Sequence, residues 1–144
     1  MSRRAASVPL TLFLALLPVV AGLITAGLGM GLAVTPAVAG TPRLQVFFSA
    51  DFTDVPYQQG VYKKVAGAWQ RPAETPKPGS KAVVIATIQK DGTVSAPALH
   101  MKSGSEAWDA AAVEAIRKAS PFDPLPKAYT RPSVEVHFHF VVDK

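Results

Sequence analysis

From Lys81 to the C-terminus three hydrophobic patterns follow one another. Ala82-Val83-Val84-Ile85-Ala86-Thr87-Ile88 is a short, nearly unbroken apolar run rich in β-branched residues, the pattern of a buried strand. Asp91-Gly92 comes next and marks a hairpin turn, because Gly takes positive φ without a Cβ penalty. The chain then returns as a second strand over Val94–Met101, and Ser103-Gly104-Ser105 ends it. From Glu106 to Ala119 the period becomes helical, with Trp108, Ala112, Ala115, Ile116 and Ala119 on one face. Ser105 is placed to cap this helix, with Glu106 and Asp109 in its first turn and Arg117 and Lys118 in its last, opposing the macrodipole. Pro121, Pro124 and Pro126 stiffen the crossing that follows. The chain closes on strict alternation, with Val134, Val136, Phe138, Phe140 and Val142 on one face and Glu135, His137, His139 and Val141 on the other.

Pro97 cannot donate a ladder hydrogen bond, so the second strand belongs at an edge. The apolar first strand is then central and the last strand forms the other edge, an order of 2-1-3. The helix from Glu106 lies on this sheet, facing Val84, Ala86, Ile88, Phe138 and Phe140. Upstream, Tyr62, Val65, Ala66 and Trp69 are spaced as the inner face of a helix over Val61–Trp69, stopped by Pro72, with Lys63 and Lys64 outside. Residues 40–60 read as a connector in which Leu44-Gln45-Val46-Phe47-Phe48 is a short strand or an apolar clasp. The expected fold is α+β, a small three-stranded antiparallel or mixed sheet with two helices, preceded by an N-terminal hydrophobic helix. The division is 1–39, 40–60 and 61–144.

The first segment changes the picture of location. Arg3 and Arg4 precede a stretch from Ala5 to Pro42 without a charge, whose core, Val8–Val34, is longer than the ~20 residues that span a bilayer. Ala37-Val38-Ala39 is also a small-residue cleavage pattern. The segment is a transmembrane anchor or a signal peptide cut near Ala39, and in both cases the basic end stays cytoplasmic while the rest is exported. Of the 15 Lys and Arg against 10 Asp and Glu, two belong to this segment, leaving a mild excess of 13 to 10. That excess lacks the concentrated basic stripe of a nucleic-acid binder. With no Cys, thiolate metal sites and Cys nucleophiles are excluded.

Several short pieces, taken in order, resemble a TonB/TolA-type C-terminal domain over Val61–Lys144. They are Tyr62-Lys63-Lys64-Val65 with Trp69-Gln70-Arg71-Pro72, Asp91-Gly92-Thr93-Val94, Ser103-Gly104-Ser105, Asp109-Ala110-Ala111-Ala112-Val113-Glu114-Ala115-Ile116, Pro121-Phe122-Asp123-Pro124-Leu125-Pro126 and the alternating last strand. The resemblance implies a non-enzymatic binding module on the periplasmic side of a bacterial cytoplasmic membrane, needing no cofactor. Its partners would be envelope proteins or receptor peptides gripped by strand addition, and inner-membrane motor proteins where transport is energy-coupled. The expected binding element is the edge strand Val134, Glu135, Val136, His137, Phe138, His139, Phe140, Val141 and Val142, whose free N–H and C=O groups can pair with an extended peptide. Two features depart from the family pattern: the connector 40–60 is short, and no His precedes His100.

The rival chemistry is a small metal-binding or hydrolytic envelope protein. His137 and His139 lie two apart on one strand face, His100 could join from another strand, and Glu135 is the carboxylate at ligand spacing. Polar residues on the wet face of a half-buried strand account for the same pattern, and a metal site needs three or four ligands. Ser103-Gly104-Ser105 fits a helix start better than a nucleophile, and no G-x-S-x-G elbow occurs. Val83, Ile85 and Thr87, on the sheet face away from the helix, require extra packing or a homodimer or partner surface.

Overall fold

The computed structural model describes residues 40–144, so the expected N-terminal anchor or signal peptide lies outside the described residues. The elements run β1 (Pro42–Phe48), α1 (Val55–Ala68), β2 (Lys81–Gln89), β3 (Ala98–Met101), α2 (Glu106–Ala119) and β4 (Ser133–Val142). The sheet has four strands in the order β1-β4-β2-β3, and every pairing is antiparallel. The expected order of the last three strands holds, but a fourth strand extends the sheet beyond them. It comes from the stretch read as a connector, so β4 is an inner strand and not an edge.

The central pairing of β2 with β4 runs from Lys81 opposite Val141 to Gln89 opposite Ser133. One face of these strands is the floor of the core. Ala82, Val84, Ala86 and Ile88 face the helices together with Val134, Val136, Phe138, Phe140 and Val142, and all are buried. α2 covers this floor with Trp108, Ala112, Ala115 and Ile116, and the alanines allow close approach. Ser105 caps it, its hydroxyl accepting from the Trp108 amide at 3.3 Å. Buried Asp109 reinforces the start by accepting from the Ser103 amide at 2.9 Å, so the Ser-Gly-Ser stretch is spent on backbone geometry.

α1 begins earlier than its apolar spacing suggests. Asp54 accepts from the Tyr57 amide at 2.9 Å, and Pro56 sits in the first turn, where a missing N–H has no cost. Its buried residues are Val61 and Val65, whereas Tyr62 is 42% exposed, so the inward face is rotated by one residue from that expected. Trp69 closes the helix and packs edge-on to Trp108, 5.2 Å between centroids, and to Phe140 at 4.9 Å.

β3 is shorter than expected. Pro97 delays it to Ala98, and only a single bridge from Ile88 to Val94 precedes it. At the turn, Gly92 has φ +91°, and a Cβ there would collide with the Phe122 carbonyl oxygen. That close approach lets the Phe122 amide donate to the Gly92 carbonyl at 2.9 Å and the Leu125 amide to Lys90 at 3.0 Å. The proline-rich crossing is thereby laid along the hairpin before it delivers β4.

The indole of Trp108 is wholly buried, and its Nε1 donates to the Phe140 carbonyl at 3.2 Å. Trp108→Ala is expected to cost about 3–5 kcal/mol, the range for emptying a buried aromatic site. Thermal unfolding monitored by far-UV circular dichroism checks this, and an unchanged melting temperature would contradict the packing described.

Candidate functional site

The nine residues expected to bind a partner all lie on β4, and the register fixes what each presents. Even-numbered side chains enter the core and odd-numbered ones stand on the face opposite α1 and α2. The peptide groups alternate as well. Val142 donates to Ser80 on the β2 side at 2.9 Å, whereas Asp143 donates to Thr41 and Ser49 donates to Glu135 on the β1 side, at 3.0 and 3.2 Å. Antiparallel pairing therefore turns the amides of residues 137, 139 and 141 away from β2. They face the direction expected for a free edge, but β1 occupies that direction from Pro42 opposite Val142 to Phe48 opposite Val136.

β1 is held unevenly. Leu44 is buried beside Phe140, Val46 and Phe48 are partly buried, and Phe47 is 50% exposed on the open face. Arg43 pairs with Asp143 at 3.1 Å, in a setting too exposed to contribute much. Immediately after the strand, Phe52 is buried and stacks on Phe48 at 5.0 Å, with Tyr57 and Tyr129 edge-on at 5.4 and 5.0 Å. A cleft of about 300 Å³ opens beside this cluster, lined by residues that include Asp51, Asp54 and Pro126. Its carboxylates are already engaged, Asp51 by Arg131 at 2.8 Å and Asp54 as the cap of α1. Tyr57 ties α1 to the crossing by donating to the Asp123 carbonyl at 2.7 Å; burial, then the Asp123 charge, pushes its phenol up to about 12.

On the open face, His137 Nε2 lies 2.8 Å from Glu135 Oε1. The His139 ring packs against Phe47, 4.7 Å between centroids. His100 sits where β3 slips register against Val83 and Val84, and is exposed. Among the described residues no group of three or more His, Asp or Glu stands close enough to hold a metal. Val83 is nevertheless buried on this face, between His139 of β4 and Met101 of β3. β1 does not lie across the face as a clasp; it joins the sheet at its edge. The feature the sequence reading underweighted is the alternation of Leu44, Val46 and Phe48, a signal blurred by the adjacent Phe47.

Burial, then the positive charges of Lys81 and His137, lower the His139 pKa from its ordinary value. Gln45 and Phe47 of β1, Val83 of β2 and Val141 beside it add no compensating negative charge, and the Asp143 carboxylate is paired with Arg43. The folded chain thus favours neutral imidazole. The stabilisation is complete above the unfolded value of about 6.5 and is lost as pH falls through the lowered folded value. Melting temperature should therefore drop on acidification across this window, and His139→Gln should flatten that part of the profile. A wild-type profile already flat through the window would contradict the assignment.

The family described as TonB C terminal matches residues 55–140, so the match includes α1 and most of β4 and begins after β1. Among solved structures, the chain is similar to a Helicobacter pylori TonB C-terminal domain determined by NMR. The identity is 18% and the TM-score 0.51, over 65% of this chain and 87% of that one. It is also similar to TolAIII bound to a peptide derived from the N-terminus of TolB, at 21% identity and TM-score 0.47, over 60% of this chain and 76% of that one. No curated protein matches. The family match spans more than half of the chain, and on that ground the protein belongs to the TonB C-terminal family.

Proposed function

We propose that this protein is a non-enzymatic binding module of the bacterial cell envelope that takes an extended segment of a partner as an added strand of its sheet. Family membership supports the class. The observation that carries the mode is the outer row of peptide groups on β4, which a single short strand from outside the family match serves. Main-chain bonding to such a row supplies affinity, and alternate side chains supply selectivity. The N-terminal segment is the membrane anchor or export signal, placing residues 40–144 on the periplasmic side. The partner is an envelope protein or a receptor peptide, and coupling to an inner-membrane motor is the finer role.

The test begins with a photo-crosslinking amino acid at Phe47, exposed at the β1 edge, and at Lys63, exposed on α1. The Phe47 position should capture an envelope protein through a segment that mass spectrometry maps. Hydrogen exchange of the full chain with that partner should then show altered protection on this side of the sheet, at β1 and β4. Protection gained on the helices alone, with none on this side of the sheet, would overturn the reading.

A further inference from the structure

The outer side of β4 is the longest stretch of main chain on which this sheet could take a partner, and in the chain as it stands β1 fills it. We infer that β1 is an intramolecular stand-in for the partner strand, and that the partner segment pairs antiparallel with β4 in its place. This rests on the reading that partners are taken by strand addition, and it names where and by what kind of segment.

β1 precedes the residues that match the family, which begin at 55, so the family portion of this chain presents β4 as an edge until β1 arrives. Beyond the main-chain ladder and the exposed Arg43–Asp143 pair, its packing rests on one buried side chain, Leu44, with Val46 and Phe48 partly buried. The attachment below it has anchors of its own. Phe52 is fixed among Tyr57 and Tyr129, Arg131 holds Asp51, and Asp54 caps α1, so β1 can leave by movement at Ser49–Ala50 with loss of the Phe48–Phe52 stack and without unravelling the helix. Release would bare the amides of 137, 139 and 141 and the site beside Phe140 that Leu44 fills.

The vacated site defines its occupant. It fits an extended peptide with apolar side chains at three alternate positions, those of Leu44, Val46 and Phe48. A basic residue one position before the first of them would meet Asp143, as Arg43 does at 3.1 Å. The remaining edges are poorer. β3 has four residues behind Pro97, and the outer edge of β1 loses a donor at Pro42.

The chain has no Cys, so a single engineered disulfide can lock β1 in place. Gln45 and His139 are directly opposite in a hydrogen-bonded pair, a Cα separation of about 5.5 Å that a disulfide can bridge. The probe is a fluorescent peptide with the sequence of residues 41–49, added to the full-length Gln45→Cys/His139→Cys chain in detergent. Reduced chain should bind it and oxidised chain should not. Leu44→Asp, which weakens the attached strand, should bind at least about tenfold more tightly than wild type because the tethered competitor is lost. Equal binding by oxidised and reduced chain, or no binding by any form, would overturn the inference. Should Leu44→Asp fail to fold, residue-resolved hydrogen exchange of the wild-type chain decides. Amides 137, 139 and 141 should exchange faster than 138, 140 and 142, and exchange of both sets together would overturn it. An envelope partner captured equally by locked and unlocked chain would leave strand addition standing and end this inference alone.

Discussion

The peptide groups of β4 must be satisfied on both sides, and most of the fold is arranged by that requirement. β4 is the long strand that carries five fully buried side chains, Val134, Val136, Phe138, Phe140 and Val142, so it cannot leave the core. β2 serves one side of it along its length. The other side would be a flat, unpaired row of donors and acceptors, the kind of edge that invites aggregation. Glu135, His137 and His139 are modest deterrents, and the chain adds a strand of its own. The crossing that delivers β4 is itself pinned to the hairpin at Gly92, which fixes where the strand begins.

Those parts of the fold whose cause is local were legible from residues alone. The Ser105 cap and the spacing of Trp108, Ala112, Ala115 and Ile116 placed α2, and the alternation after Val134 placed β4 with the correct face inward. The edge position of β3 followed from Pro97, since a missing N–H is a property of one residue. α1 was harder because Gly60 and Gly67 dilute its pattern and the exposed Tyr62 imitates a core position. Its true start depends on Asp54, a capping residue far from the apolar stripe that was used to find the helix.

The position of β1 was of another kind. Leu44, Val46 and Phe48 alternate, but three apolar positions do not say which edge they join. Pairing across some ninety residues depends on which edge the rest of the sheet leaves open, a property of the whole topology. The amides of 137, 139 and 141 do point away from β2, but the side expected to be a free edge is occupied by β1. The open face shows the same limit. Among the described residues Val83 is flanked there by His139 of β4 and Met101 of β3, and the helical and strand periods carry no information about such lateral shielding.

Covering β4 from within the same chain sets a thermodynamic condition on any strand that would take its place. An attached strand competes at the effective concentration fixed by its short tether, and a partner's apparent affinity is reduced by the fraction of chains in which β1 is bound. A perfectly complementary β1 would close the edge for good, whereas one with a single buried side chain, Leu44, and Phe47 half in solvent leaves room for a better-fitted competitor. The incompleteness of β1's packing is thus consistent with its position: the strand is good enough to satisfy β4 when nothing else is present, and poor enough that a better-fitted segment with the same alternation can replace it.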